Sequence, residues 1–220
     1  MAAVLTVMTA LDLAVLPSHA TTRVAAAAEA MPWFHQQLRS DCEAAALRMV
    51  LAARGVTAED LGILSRIGVD RVHPEFGHSG LRSGDPFRAF VGDPNGSEHK
   101  GTGYGVYAPP VARAARSYGL TVLAEGGGLT PAQLRVLIAA GHLAVIWTDF
   151  RWQYHKVHWY RAWDGNSVPY AGPVEHAVTV TGFSGDTVWV NDPYRGRYRI
   201  GLGAFTHGYA TFGDMAVVVR

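Results

Sequence analysis

Three residues set the chemistry open to this 220-residue chain: Cys42, the lone cysteine, and far downstream His176 and Asp192. A thiol attacks carbonyl carbon as the thiolate, and a free pKa of about 8.5 leaves little of that form at neutral pH. The spacing predicts Cys42 in the first turn of a helix, whose unpaired N–H groups favour negative charge at the sulfur. An imidazolium would add a full positive charge. Among ten histidines, His176 is the candidate, because it stands near the start of the strongest predicted strand, where a side chain is rigidly aimed. An imidazole must be held in one orientation, commonly by a carboxylate on its other nitrogen. Asp192 ends the strand expected to pair with that of His176; Asn191 is the alternative, although strand alternation points it the opposite way. Gln36, six residues before Cys42, could join the Cys42 N–H in stabilising an oxyanion, with Gln37 as a substitute. Each residue also has a plain structural reading: a buried packing thiol, a histidine at a strand end, a turn-initiating Asn191-Asp192-Pro193, and surface glutamines.

The elements that would position these groups are legible in outline. Ala45, Ala46, Met49, Val50 and Ala53 recur at helical spacing after Cys42, with Asp41 as expected N-cap and Gly55 as stop. A second helix is expected over Ala58–Ile67, capped by Thr57, with Leu61, Leu64 and Ile67 on one face. The glycine-rich stretch His73–Gly105 reads as a long ordered loop bordering a cleft. Helices are expected from Pro110 to Tyr118 and from Thr130-Pro131 to Ala140. Strands are expected at Leu120–Leu123, Leu143–Thr148 and Val157–Arg161, then a hairpin of Val174–Phe183 with Thr187–Asn191 across Ser184-Gly185-Asp186, then Tyr198–Ile200 and Met215–Val219. Helices first and strands afterwards argue for an α+β domain over 31–220.

Composition narrows the functions. Nineteen Lys and Arg against eighteen Asp and Glu provide no phosphate-binding track, so nucleic acid is not an expected partner. One cysteine excludes an intramolecular disulfide and a multi-cysteine metal site, and no HExxH spacing occurs; neither a metal nor a cofactor is expected. The glycines of Gly101–Gly105 lack a Walker lysine and read as a wall of the cleft. Residues 4–17 form an apolar run followed by Ser18-His19-Ala20, the pattern of a secretory signal, which points to a secreted or cell-surface protein; read instead as a disordered or helical lead-in, residues 1–30 point to a cytoplasmic one. The run is too short for a membrane span.

The segment Gln36 to Leu47 with its Asp41-Cys42-Glu43, the strand Glu175-His176-Ala177-Val178 and Val190-Asn191-Asp192-Pro193 together resemble the C39-like peptidases of the papain superfold. Phe90-Val91-Gly92-Asp93-Pro94 and Gly103-Tyr104-Gly105-Val106-Tyr107 are similar to the stand-alone bacterial branch, and the likeness spans roughly Met31 to Val219. It implies N-terminal helices packed on an antiparallel sheet and a thiol peptidase acting on a peptide or protein substrate without a cofactor. Cys42 would be nucleophile, His176 base and then acid, Asp192 the orienting residue and Gln36 the oxyanion-hole residue. Where the family usually has glycine after the cysteine, this chain has Glu43, a negative charge that could raise the thiol pKa. Two alternatives follow: a catalytically silent peptide-binding module, or a thiol acyltransferase. Trp147, Trp152, Trp159 and Trp163 are candidates for lining a substrate groove, or for core and edge packing.

Overall fold

The computed structural model describes residues 27–78, 80 and 82–220; the expected signal segment and its Ser18-His19-Ala20 site fall on residues outside this range. Six strands form the central sheet: β3 (Val122–Gly126), β4 (Leu143–Asp149), β7 (Glu175–Ser184), β8 (Thr187–Asp192), β9 (Gly196–Gly201) and β10 (Ala216–Val219). Their spatial order is β3-β10-β4-β7-β8-β9, and every neighbouring pair is antiparallel. Two short two-stranded pieces lie outside it: β1 (Val69–Asp70) paired in parallel with β2 (Phe90–Val91), and an antiparallel hairpin of β5 (His158–Arg161) with β6 (Ser167–Tyr170).

Strand alternation divides the core. Val145 and Trp147 of β4, Ala177 of β7, and Val217 and Val219 of β10 face one side, where they pack with α1 (Cys42–Ala53), α2 (Asp60–Ile67) and α3 (Ala108–Ser117). Ala144, Ile146, Val178, Val180, Ala216 and Val218 face the other, against α4 (Pro131–Ala139) and α5 (Leu202–Ala210). The N-terminal helices thus pack on an antiparallel sheet as expected, and the opposite face is covered by two later helices.

Helix α1 is buried nearly all round, from Cys42 to Leu47 and from Met49 to Leu51. It lies between the sheet and the other two helices, so only Arg48 and its last residues, Ala52 and Ala53, are partly exposed. Its chain leaves through Gly55, at φ +76°, a conformation that costs a residue without Cβ little. Thr130 caps α4 in a full capping box with Gln133. Two expected caps differ. Asp41 makes no side-chain cap to α1, because its Oδ1 instead accepts the Leu38 N–H at 3.0 Å. Helix α2 starts at Asp60 rather than Ala58, so Thr57 does not cap it, and Leu61 is exposed while Ile63 takes the buried position.

Among its described residues, the 73–105 stretch is loop carrying β2 and a 3-10 turn, Glu98–Lys100. The segment before α1 is stitched to the far end of the sheet. Arg197 donates to Met31 O, Asn191 Nδ2 to Pro32 O, Trp33 Nε1 to Asp192 O and Gln36 N to Pro193 O, all at 2.8–3.0 Å. Among the described residues no helix is long and apolar enough to cross a membrane.

Candidate active-site cleft

Where α1 begins and β7 and β8 meet, a cleft of about 660 Å³ opens. Cys42, His176 and Gln36 all line it, together with Glu98 from the long loop, Phe150 after β4 and Tyr194 after β8. Its size suits a peptide segment.

The histidine and the acid are joined. His176 Nε2 lies 2.9 Å from Asp192 Oδ1, with both side chains buried. The same Oδ1 accepts the backbone N–H groups of Tyr194 and Arg195, while Oδ2 accepts Arg195 Nε at 2.7 Å and the Tyr198 hydroxyl at 2.9 Å. Burial alone would push this carboxyl up. The His176 hydrogen bond and charge, then the Arg195 N–H and guanidinium, outweigh it and hold Asp192 well below the usual carboxylate range. Asn191, by contrast, turns to Pro32 O on the other side of the strand. Arg195 is a positioning residue that the sequence reading missed: it clamps Asp192 and lies over the Phe150 ring, 4.4 Å from its centroid, while Phe150 meets His176 edge-on at 5.0 Å. Its only sequence signal is the i,i+3 spacing after Asp192.

The thiol is placed differently from the expectation. Cys42 is 5% exposed. Its Sγ accepts the Ala177 N–H at 3.4 Å and faces Glu43 Oε2 at 3.5 Å. Among the described residues no hydrogen bond links it to an imidazole. Burial, then the nearby Glu43 and Glu175, push the thiol up, against the opposing pull of the Ala177 N–H. The expected depressed thiol is therefore not what this environment produces; the effect of Glu43 runs in the direction its sequence position implied.

Gln36 lines the cleft, but its Nε2 donates to Leu38 O at 2.9 Å, so the amide is engaged locally rather than offered to an oxyanion. Gln37 faces away, binding Glu59 and the Asp60 N–H. Nor do the four tryptophans line the groove. Trp147 and Trp152 are core residues, and Trp159 and Trp163 stand exposed beside other surfaces, Trp163 stacked on His73. Bulk and ring polarity predict burial or a surface ledge equally well, and neither distinguishes a groove. His155 also reaches the cleft, with its Nε2 3.2 Å from Asp149 Oδ2.

Three glutamates converge here. Glu43 is fully buried, its Oε1 accepting the Val106 N–H at 2.5 Å. Burial raises its carboxyl to about 8 and that of Glu98 to about 9, and Glu175 is pushed up likewise. Gly105 lets Glu43 and Glu175 approach: a Cβ there would stand 2.6 Å from Glu43 Oε1 and 2.9 Å from Glu175 Oε2.

The profile of the Peptidase_C39 like family matches residues 28–217. The chain belongs to that family. A curated relative, the uncharacterized protein YvpB of Bacillus subtilis (strain 168), is 27% identical over 186 residues, covering 84% of this chain and 70% of the relative. A crystal structure described as a C39-like peptidase from Bacillus anthracis superposes with a TM-score of 0.74 at 22% identity, over 87% of this chain and 94% of that one. At that identity the likeness speaks for the fold, which is the C39-like α+β fold.

Proposed function

We propose that this C39-like protein is a peptide-binding module whose cleft holds an extended segment across the start of α1, with Cys42 as part of the floor rather than as an attacking group. The observation that carries this reading is the Cys42 sulfur seated between the Ala177 N–H and the Glu43 carboxyl, with no imidazole bonded to it. A cleft of peptide size lies above, with Phe150 and Tyr194 to pack side chains and Arg39 and Arg151 to meet acidic groups.

The test is a peptide library screened by fluorescence anisotropy, with mass spectrometry of the same mixtures. Binding that survives Cys42→Ala, with intact peptides recovered from the wild type, is the expected result. Cleaved or transferred peptide from the wild type but not from Cys42→Ala would replace the binding reading with a catalytic one.

The His176–Asp192 pair supports that second reading, a thiol peptidase or acyltransferase. In that reading the Cys42 thiol would leave Glu43 and give its proton to His176, which lines the same cleft. Cys42 would then attack the carbonyl carbon, the Cys42 N–H and a released Gln36 amide would stabilise the oxyanion, and His176 would protonate the leaving amine. Water, or a second amine, would cleave the thioester.

A further inference from the structure

Cys42, Glu43 and Glu175 place one thiol sulfur and two carboxylate oxygens within 4.8 Å of one another. Neighbouring helix positions rarely serve one point. Here they do, because Cys42 and Glu43 occupy the first turn of α1, where backbone groups of two other segments orient them. The Val106 N–H takes Glu43 Oε1 and leaves Oε2 toward the sulfur, and the Ala177 N–H fixes Sγ from β7. Glu175 arrives independently on β7 at 8% exposure, and its Oε1 has no hydrogen-bond partner among the described residues. A buried carboxylate without a donor is costly. Among the described residues neither Glu43 nor Glu175 forms an ion pair. The missing Cβ of Gly105 keeps the space between them open.

We propose that Cys42, Glu43 and Glu175 bind a divalent cation of borderline softness, of the zinc class, reached through the cleft. A thiolate ligand argues against magnesium and calcium, which take oxygen alone, and two carboxylates beside one sulfur argue against a purely soft ion. One donor pair has the spacing of the metal class. Zinc bonds of about 2.3 Å to sulfur and about 2.0 Å to oxygen, set at the tetrahedral angle, separate the two donors by about 3.5 Å. The Cys42 Sγ to Glu43 Oε2 distance is 3.5 Å. Three protein ligands leave a fourth position, and because Cys42 and Glu175 both line the cleft, it would open toward a bound peptide's carbonyl or carboxylate. Metal entry releases to solvent the protons these groups carry. The absence of a recognisable ligand motif explains why the sequence led to no expectation of a metal: two ligands are adjacent and the third lies on a distant strand.

The inference rests on the reading that Cys42 is not the nucleophile in this arrangement. The experiment is titration of chelator-treated, full-length protein with Co²⁺, followed by Zn²⁺. Expected are a near-ultraviolet thiolate-to-cobalt absorption and visible bands of a tetrahedral centre, both saturating at one ion per chain and erased by Zn²⁺. Cys42→Ser should abolish the ultraviolet band, and Glu175→Gln should weaken binding more than about tenfold, with far-ultraviolet circular dichroism confirming that both variants are folded. No thiolate band at saturating Co²⁺, or a band unchanged in Cys42→Ser, would overturn the metal site. Iodoacetamide labelling of the metal-free protein separates the two failures. Slow, His176-independent labelling without a cobalt band removes the metal alone, whereas fast labelling lost in His176→Ala removes the underlying reading.

Discussion

The Cys42 thiol faces the carboxyl of its own neighbour Glu43 at 3.5 Å, while His176, which shares the cleft, spends its Nε2 on Asp192. Thiol and imidazole are thus built on the same cleft yet engaged elsewhere.

Alkylation follows from that separation. Cys42 in the folded protein at neutral pH is expected to react with iodoacetamide roughly tenfold or more slowly than in the unfolded chain, because burial and adjacent acids disfavour the thiolate. His176→Ala should change the folded rate by less than about twofold, within the range of a lost packing contact. Stopped-time labelling read by mass spectrometry measures both.

Gly105→Ala is expected to destabilise the protein by about 1–3 kcal/mol, the usual range for overpacking a filled interior. The added methyl would meet two carboxylates, and Glu43 cannot retreat without dropping the Val106 N–H. Urea denaturation of both proteins gives the difference, and the same change should lower peptide affinity if the Glu43–Glu175 wall shapes the cleft.

Asp192→Ala strips partners from a buried histidine, a guanidinium and a tyrosine at once, and about 3–5 kcal/mol of stability should go with it. The pH dependence has a definite sign. Asp192 lies lower in the folded than in the unfolded chain, so its contribution is complete above the ordinary carboxylate range and is lost as pH falls through the folded value. The gap between wild type and Asp192→Asn should therefore be widest near neutrality and close progressively below about pH 4. Denaturation midpoints across that interval test it.

Trp147 and Trp163 provide a contrast. Trp147 is wholly buried and donates to Val106 O at 2.8 Å; Trp147→Ala should cost about 3–5 kcal/mol and disturb Glu43 through Val106. Trp163, 41% exposed, should tolerate alanine with a small loss and no change in peptide binding.

Those contrasts mark what the sequence made legible. The β7–β8 hairpin announced itself through apolar runs across Ser184-Gly185-Asp186, and strand alternation alone separated Asp192, turned to His176, from Asn191, turned to Pro32. The start of α1 at Cys42 was equally plain. Strand β5 was expected at Val157–Arg161, but its partner β6 was not, because Pro169 sits inside β6 and proline argues against a strand unless, as here, it lies in a small two-stranded piece. Helix α5 was also missed: Gly203, Gly208, Thr206 and Tyr209 are weak helix formers, and the helix owes its existence to Phe205 and Tyr209 packing on the sheet. The glutamate convergence left no local trace, since tertiary contact alone unites α1, the long loop and β7.

The stitches that bind residues 31–36 to the end of β8 and the start of β9 join positions 157 to 166 apart in the chain. During synthesis from the N-terminus, Cys42 and its helix emerge long before the strands carrying His176, Asp192 and Arg197 exist. Loop closure over such spans is entropically late. The cleft is consequently among the last parts of the molecule to be assembled, and the cell meets the exposed sulfur of a nascent chain well before the mature protein conceals it.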